Sequence, residues 1–275
     1  MKHYRIYDQD NDIEIGTLLY YENERNFLIE LREDLDYWTA PLLFAEMVER
    51  GIFTSSRRFG LLWVRERIIP PDRQNIASIL AHHHLKEYDE MKLLELSGGR
   101  CAQDDMVIER QEQLPDYVLQ RQRKNLVDVV PGEEHALLCF FADDSVRRVP
   151  LDQMKDEDLD VWSKELKMDL EHVLRNQKLY ESCRIGSGGY YATFNDSIDI
   201  PAAVLYKSGK ELPLKLEDFY TFARRNLPDT TESCELLGCT RQNLAYMVKQ
   251  GHIKPVREEV KGNLYLKGDL LRSRE

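Results

Sequence analysis

Hydrophobic and polar residues alternate along three short stretches near the start of the chain, and a period of two predicts β-strands. These strands are expected at 4–6, 15–20 and 27–31. Apolar residues at helical spacing follow and predict three helices. The helices are expected at 38–51, 60–68 and 72–84, and a closing strand at 105–109. Pro70 and Pro71 break the chain before Asp72, which is expected to cap the third helix.

The stretch 111–125 is polar and holds one proline, so it is expected to be a linker or a connecting helix. Both periods recur beyond it. Strands are predicted at 126–130, 135–141 and 146–151, a helix around 156–176, and a strand pair from Leu179 through 186–189 to 190–194. This pattern predicts a middle α+β hairpin domain.

The end of the chain carries the punctuation of two helices joined by a tight turn. Thr230 or Thr231 can cap a short helix that ends at Leu237. Gly238 suits the turn, and Thr240 can cap a second helix that ends at Gly251. This order of caps and glycines predicts a helix-turn-helix.

The second of these helices has an apolar stripe and a polar face. Leu244, Met247 and Val248 fall at i, i+3 and i+4, so they are expected to pack on the first helix. The N-terminal part of a recognition helix enters the major groove, where Arg and Gln make bidentate contacts with base edges. Arg241 and Gln242 are therefore the first candidates to read sequence. The predicted DNA-binding residues on this helix are Thr240, Arg241, Gln242, Asn243, Tyr246 and Lys249.

After Pro255, the pattern of residues 256–266 predicts a two-stranded wing. Its tip would be 261–263, where Lys261 is placed to meet a DNA phosphate. Asp269 is expected to cap a terminal turn. The predicted module is thus a winged helix-turn-helix.

The size of the chain, 275 residues, favours two or three domains. With the elements above, we predict a multidomain α+β protein with domains at 1–112, 126–212 and 226–275. The net charge of −11 is unevenly spread, because residues from Thr240 onward hold eight Lys and Arg against four Asp and Glu, a balance of +4. The preceding 239 residues carry −15. This asymmetry suits a small basic reader of DNA attached to an acidic body.

Five scattered cysteines with no CxxC pair predict neither a disulfide framework nor a zinc site. The sequence has no run of 18 apolar residues and no signal peptide. A cytoplasmic protein that does not enter membranes is therefore expected.

Three other patterns invite a catalytic or metal reading. Asp104 and Asp105 are adjacent, but neighbouring carboxylates on a strand point in opposite directions. A structural role in a turn is therefore favoured over a metal site. The three histidines 82–84 cannot all face one ion from a helix end. The glycines at 186–189 with Lys207 imitate a kinase glycine-rich loop, yet the sequence contains no HRD-type or DFG-type motif. A hairpin is preferred there, and no enzyme activity, cofactor or metal is expected.

Two parts of the chain resemble domains that occur together in bacteria. Residues 232–244 (ESCELLGCTRQNL) and 248–255 (VKQGHIKP) resemble the excisionase-like and MerR-like winged helix-turn-helix family. Residues 137–151 and 188–200 resemble a small bacterial domain of unknown function that often sits beside a helix-turn-helix. The first resemblance implies operator binding. The second implies a fold but no particular catalytic activity.

The first 110 residues resemble the N-terminal subdomain of HipA-type toxin kinases, the piece that also occurs separately as the HipS protein. The similarity lies in IGTL at 15–18, in 40–54 and 61–80, and in 87–109. The chain departs from that family at 68–72, IIPPD, and at 101–105, CAQDD. The resemblance implies a separately encoded HipA or HipT-type kinase as partner.

These features together predict an antitoxin-like transcriptional regulator that binds an operator as a homodimer and engages such a kinase. The alternative is a stand-alone transcription factor whose N-terminal domains sense a ligand or dimerise. An enzyme that uses Asp104, Asp105 or the histidines is the third class.

Overall fold

The computed structural model describes residues 1–154, 164–213, 216–256, 265 and 267–273. The chain divides into two compact units, Met1–Val118 and Leu119–Glu275. Three antiparallel sheets are combined with helices in the described part. The predicted α+β class is therefore confirmed.

The sheet of the first unit is built mainly from the strands that the period of two predicts. They are β1 (Lys2–Asp8), β2 (Ile13–Tyr21), β3 (Asn26–Leu31) and β4 (Met106–Arg110). The strand order is β3-β2-β1-β4, so the last strand of the unit pairs with the first. The alternating apolar side chains of these strands are buried in one hydrophobic core. The four predicted strands are confirmed.

Four helices complete this unit, namely α1 (Leu42–Glu49), α2 (Arg57–Arg65), α3 (Ile76–His82) and α4 (Glu90–Ser97). Two of them begin later than predicted. Asp36 binds the backbone N–H groups of Trp38 and Thr39, which holds this segment in a turn until α1 begins. Asp72 is not a cap, because a turn of hydrogen bonds extends from Pro70 to Ile76 and Asn75 takes the N-cap position of α3.

The second unit begins within α5 (Asp116–Gln122), in the stretch predicted to be a linker or connecting helix. Next come β5 (Leu126–Pro131), β6 (Ala136–Phe141), β7 (Val146–Pro150), α6 (Lys164–Arg175), α7 (Gln177–Glu181), β8 (Arg184–Ile185), β9 (Tyr191–Phe194), β10 (Ile198–Pro201), α8 (Ala202–Ser208) and β11 (Lys210–Glu211). One sheet has the order β11-β7-β6-β5 and the other β10-β9-β8. Both contribute to one core with α6 and α8. Residues 156–163 of the predicted acidic helix lie outside the described residues.

One predicted strand of this unit is wrong at its start. Leu179 lies in α7 and not in a strand, because Asn176 caps a helix there by accepting the Leu179 N–H at 3.2 Å. The helix is anchored by Tyr180, whose buried hydroxyl donates to the carbonyl groups of Gly132 (3.0 Å) and Ala136 (2.9 Å). The chain then continues through α9 (Leu216–Asn226), α10 (Thr230–Leu237), α11 (Arg241–Lys249) and α12 (Lys267–Arg272).

Candidate nucleic-acid interface

The first helix of the candidate site, α10, is fixed at its start by a capping box. The Asp229 side chain accepts from the N–H groups of Thr231 (2.7 Å) and Glu232 (2.8 Å), and the Glu232 carboxylate accepts from the Asp229 N–H (2.9 Å). The prediction that Thr230 or Thr231 caps this helix is therefore wrong. The Asp229 carboxylate accepts two N–H groups, and the Glu232 carboxylate accepts the Asp229 N–H in return. This reciprocal pair is a stronger cap than a threonine hydroxyl.

The connection from α10 to α11 is a three-residue turn at 238–240. Gly238 is left-handed with φ 62°, which costs glycine nothing. Its N–H donates to the Glu235 carbonyl (3.2 Å), and the Cys239 N–H donates to the Cys234 carbonyl (3.0 Å). These two bonds are the pair that defines a Schellman motif. The predicted glycine turn is confirmed.

The second helix, α11, begins where the sequence predicts, because the Thr240 side chain accepts from the Asn243 N–H. Leu244 is buried, and Met247 and Val248 pack around it with residues of α10, so the predicted stripe is confirmed. The DNA-binding residues predicted within this helix are all exposed, namely Arg241, Gln242, Asn243, Tyr246 and Lys249. The helix therefore presents a polar face to solvent.

Two exposed side chains on this face have defined surroundings. The Arg241 guanidinium donates to the Thr231 hydroxyl at 3.1 Å, which links the start of α11 to the first turn of α10. This bond orients the guanidinium while leaving its other N–H groups available to a ligand. Tyr246 is 59% exposed one turn further on. The face offers planar donors near its N-terminus and an aromatic ring behind them.

The C-terminal helix α12 completes the small core of this module. Tyr265 and Leu270 are buried with Leu244 and Ile253. Helix α12 begins at Lys267, so Asp269 lies inside the helix and not at the N-cap position predicted for it. Most of the predicted wing, including Lys261, lies outside the described residues.

A second contact of α12 was not predicted and attaches the module to strand β5. The Gly268 N–H donates to the buried Asp128 carboxylate at 3.1 Å, and Arg272 donates to the Val127 carbonyl. A Cβ on Gly268 would lie 2.4 Å from the Val127 carbonyl oxygen, so only glycine allows this approach. Burial raises the pKa of Asp128 to about 6, although two backbone N–H groups and the nearby charges of Lys267 and Arg272 oppose the rise.

The carboxylate pair considered from sequence has a structural role. Asp104 forms an ion pair with the buried Arg67, and it also accepts the Met106 N–H at 3.2 Å. The Arg67 guanidinium lies 3.9 Å from the Trp63 ring centre. The nearby charge of Asp10, and then slight burial, raise the pKa of Asp105. Across the described residues, no group of three or more His, Cys, Asp or Glu could hold a metal ion.

The glycine-rich stretch at 186–189 forms the preferred hairpin between β8 and β9. Its glycines are required by internal packing. A Cβ on Gly189 would lie 2.0 Å from the Leu126 carbonyl oxygen, and one on Gly186 would enter the Tyr191 ring. The turn is therefore packed against Leu126 and Tyr191, which explains why both positions are glycine.

The first unit carries an exposed apolar loop that sequence reasoning did not single out. Trp38 is 88% exposed, Leu42 is 91% exposed, and the Tyr37 ring meets the Trp38 ring edge-on at 5.5 Å. The Asp36 carboxylate fixes the loop by accepting from Trp38 N–H, Thr39 N–H and the Thr39 hydroxyl. These hydrogen bonds lower the pKa of Asp36. A rigid turn thus presents large apolar side chains to solvent.

Comparison of the chain with protein families, with characterised proteins and with solved structures gives no match. In the part of the chain that the structure describes, no helix is both long and apolar enough to span a membrane. A function is therefore inferred from the geometry of α10, α11 and the turn between them.

Proposed function

We propose that the chain is a DNA-binding, antitoxin-like transcriptional regulator. The exposed polar face of α11, which follows a capped three-residue turn, is the observation that carries this proposal. A helix presented in this way fits the major groove, while the preceding helix crosses the phosphate backbone. Two copies bound to two half-sites would supply the surface area that one small module lacks.

The residue types on α11 suit direct reading of base edges. Arg241 can donate two parallel hydrogen bonds to guanine, and Gln242 can pair with adenine. Both lie in the first turn of the helix, where recognition helices approach bases. Lys249, in the last turn, is a candidate for phosphate. The hydrogen bond from Arg241 to Thr231 restricts the guanidinium before DNA arrives, which lowers the entropic cost of the contact.

The first unit supplies the features of a protein-binding surface. Met1–Val118 holds 14 Lys and Arg against 23 Asp and Glu, a net charge of −9, which disfavours contact with DNA. Its exposed turn carries Tyr37 and Trp38, Leu42 follows at the start of α1, and exposed aromatic residues on a hydrogen-bonded turn are suited to anchor a partner. We assign this loop to the HipA or HipT-type kinase that the sequence resemblance implies.

Titrations with DNA test the first part of the proposal. The sequence preference would first be determined by selection from random duplexes. Arg241→Ala should then weaken the selected site by about 1–3 kcal/mol while affecting random DNA less. Arg175→Ala is the matched control, because Arg175 is 79% exposed on α6 in the same unit and pairs only with Glu171 in the ion pairs described. Equal affinity of the parent and Arg241→Ala for both duplexes would remove α11 as the recognition helix.

Capture of proteins from the native host tests the second part. The full chain should retain a kinase-like protein, and Trp38→Ala should lose it without losing DNA binding. If Trp38→Ala instead converts a dimer to a monomer in sedimentation, the loop serves dimerisation. The stand-alone transcription factor would then be the better description.

A further inference from the structure

Two cysteines lie on either side of the turn that joins α10 to α11. Cys234 is in the last turn of α10, and Cys239 is the residue before the Thr240 cap. The Schellman hydrogen bond from the Cys239 N–H to the Cys234 carbonyl, at 3.0 Å, brings these two residues together. In this motif the side chains at the same two positions are frequently in contact.

Both side chains pack against the same cluster around Leu244, and both are partly exposed at its edge. Cys139 and Cys183 differ, because they are fully buried in the core of the middle sheets. Cys101 is partly exposed, but it lies in the other unit. The pair in the turn is therefore placed for an internal reaction with dissolved oxidants.

We propose that Cys234 and Cys239 form a redox modification site, which a low-molecular-weight disulfide oxidises to an intramolecular disulfide. The thiolate of one cysteine attacks the reagent disulfide and releases one reagent thiol. The second cysteine, as its thiolate, then attacks the mixed disulfide and releases the other reagent thiol. The two protein sulfurs are oxidised, and the two reagent sulfurs are reduced. The reverse exchange with a dithiol restores the protein.

This inference rests on the proposed function in one respect, the effect on DNA. A disulfide holds its sulfurs about 2.05 Å apart, closer than two thiols in contact. The turn must therefore tighten when the bond forms. Cys239 is two residues from Arg241, so the movement reaches the first turn of α11. Oxidation should lower the affinity for DNA.

The rate of the reaction should depend on pH. Burial, followed by the neighbouring Cys234 thiol, raises the pKa of Cys239. The attacking species is the thiolate, so oxidation should become faster as the pH rises from 7 to 9. The raised pKa leaves less of Cys239 as the thiolate at neutral pH, which slows its oxidation.

The test treats the full-length protein with oxidised glutathione and follows its intact mass. The expected product has lost two hydrogens, is restored by dithiothreitol, and links Cys234 to Cys239 in a peptide digest. Cys101→Ser should still form it, whereas Cys234→Ser and Cys239→Ser should not. A persistent mixed disulfide on Cys234 or Cys239, or no reaction of this pair under conditions that modify Cys101, would overturn the proposed site.

The DNA arm uses the same samples on the selected duplex. Oxidised parent protein should bind at least about tenfold more weakly, which corresponds to about 1.4 kcal/mol, and Cys239→Ser should be insensitive to the oxidant. Equal affinity of the reduced and disulfide forms would overturn the effect on DNA. Failure of the reduced form to bind any duplex would overturn the proposed function, and the mass measurement would still decide whether the disulfide forms. Far-UV circular dichroism of both serine variants establishes that they are folded.

Discussion

Replacement of Asp128 by asparagine should change how the stability of the Leu119–Glu275 unit depends on pH. The carboxylate is buried beneath the start of α12, where it accepts the Gly268 N–H at 3.1 Å and the Val129 N–H at 2.8 Å. Asparagine has nearly the same shape but only one acceptor oxygen, so it loses one of these two bonds at every pH, and it does not ionise. The comparison between Asp128→Asn and the parent therefore isolates the titration of one group.

The sign and size of the effect follow from the raised pKa. A carboxyl whose pKa is raised from 3.8 to about 6 on folding adds stability below pH 3.8 and loses it as the pH rises through 6. At about 1.4 kcal/mol per pKa unit, the full loss is about 3 kcal/mol, and roughly half of it has occurred at pH 5. Between pH 5 and pH 8, the parent should thus lose about 1.4 kcal/mol relative to Asp128→Asn.

Urea unfolding at pH 5 and pH 8, followed by far-UV circular dichroism, measures this difference. Asp143→Asn is the matched control, because it is the same substitution in the same unit. Hydrogen bonds from Ser145 and Tyr206 outweigh burial and lower the pKa of Asp143, so it is ionised throughout this range. Its difference from the parent should be constant. If the Asp128→Asn difference is equally constant, Asp128 titrates normally and α12 does not cover it in solution.

Substitutions at three further positions have defined outcomes. Leu244→Ala should cost about 2–5 kcal/mol in urea unfolding and abolish specific DNA binding, because this buried side chain joins α10, α11 and α12; unchanged stability would mean that the helices do not share a core. Asp229→Ala should cost about 1 kcal/mol through loss of the capping box, and Asp229→Asn should recover most of this loss. Trp38→Ala should change stability by less than about 0.5 kcal/mol in thermal unfolding, because its side chain is 88% exposed; a larger loss would place the ring in a core.

Local pattern predicted much of this fold, since period and capping depend on neighbouring residues. The strands β1 to β7 alternate apolar and polar residues or are continuously apolar, and their turns carry Gly, Asn and Asp. The exposed face of α11 was predicted from Leu244, Met247 and Val248 alone, because a helix fixes where the other side chains point. The cap at Thr240 was also predicted correctly, because capping involves only neighbouring residues.

The features that the sequence did not predict are of two kinds. In some, two neighbouring residues compete for one role or one structure, and in others the contacting residues are far apart in the chain. Both Asp229 and Thr230 can cap a helix. Asp229 takes the N-cap position because the Glu232 carboxylate accepts its backbone N–H. Leu179 belongs to an apolar run too short for period to separate helix from strand. The pair of Asp128 and Gly268 joins residues 140 positions apart. A buried aspartate in a strand and a glycine in a C-terminal helix carry no signal in sequence that relates them to each other.

The contact between Asp128 and Gly268 changes how the charge distribution should affect DNA binding. The sequence alone suggests a small basic reader of DNA attached to an acidic body. The contacts of α12 with β5 instead hold the tail against the middle sheet, in a unit with 24 Lys and Arg and 26 Asp and Glu, a net charge of −2. A nearly neutral unit gains little affinity from its total charge. Its asymmetry still favours approaches in which α11 faces the phosphates, so electrostatics should orient the proposed complex more than it strengthens it.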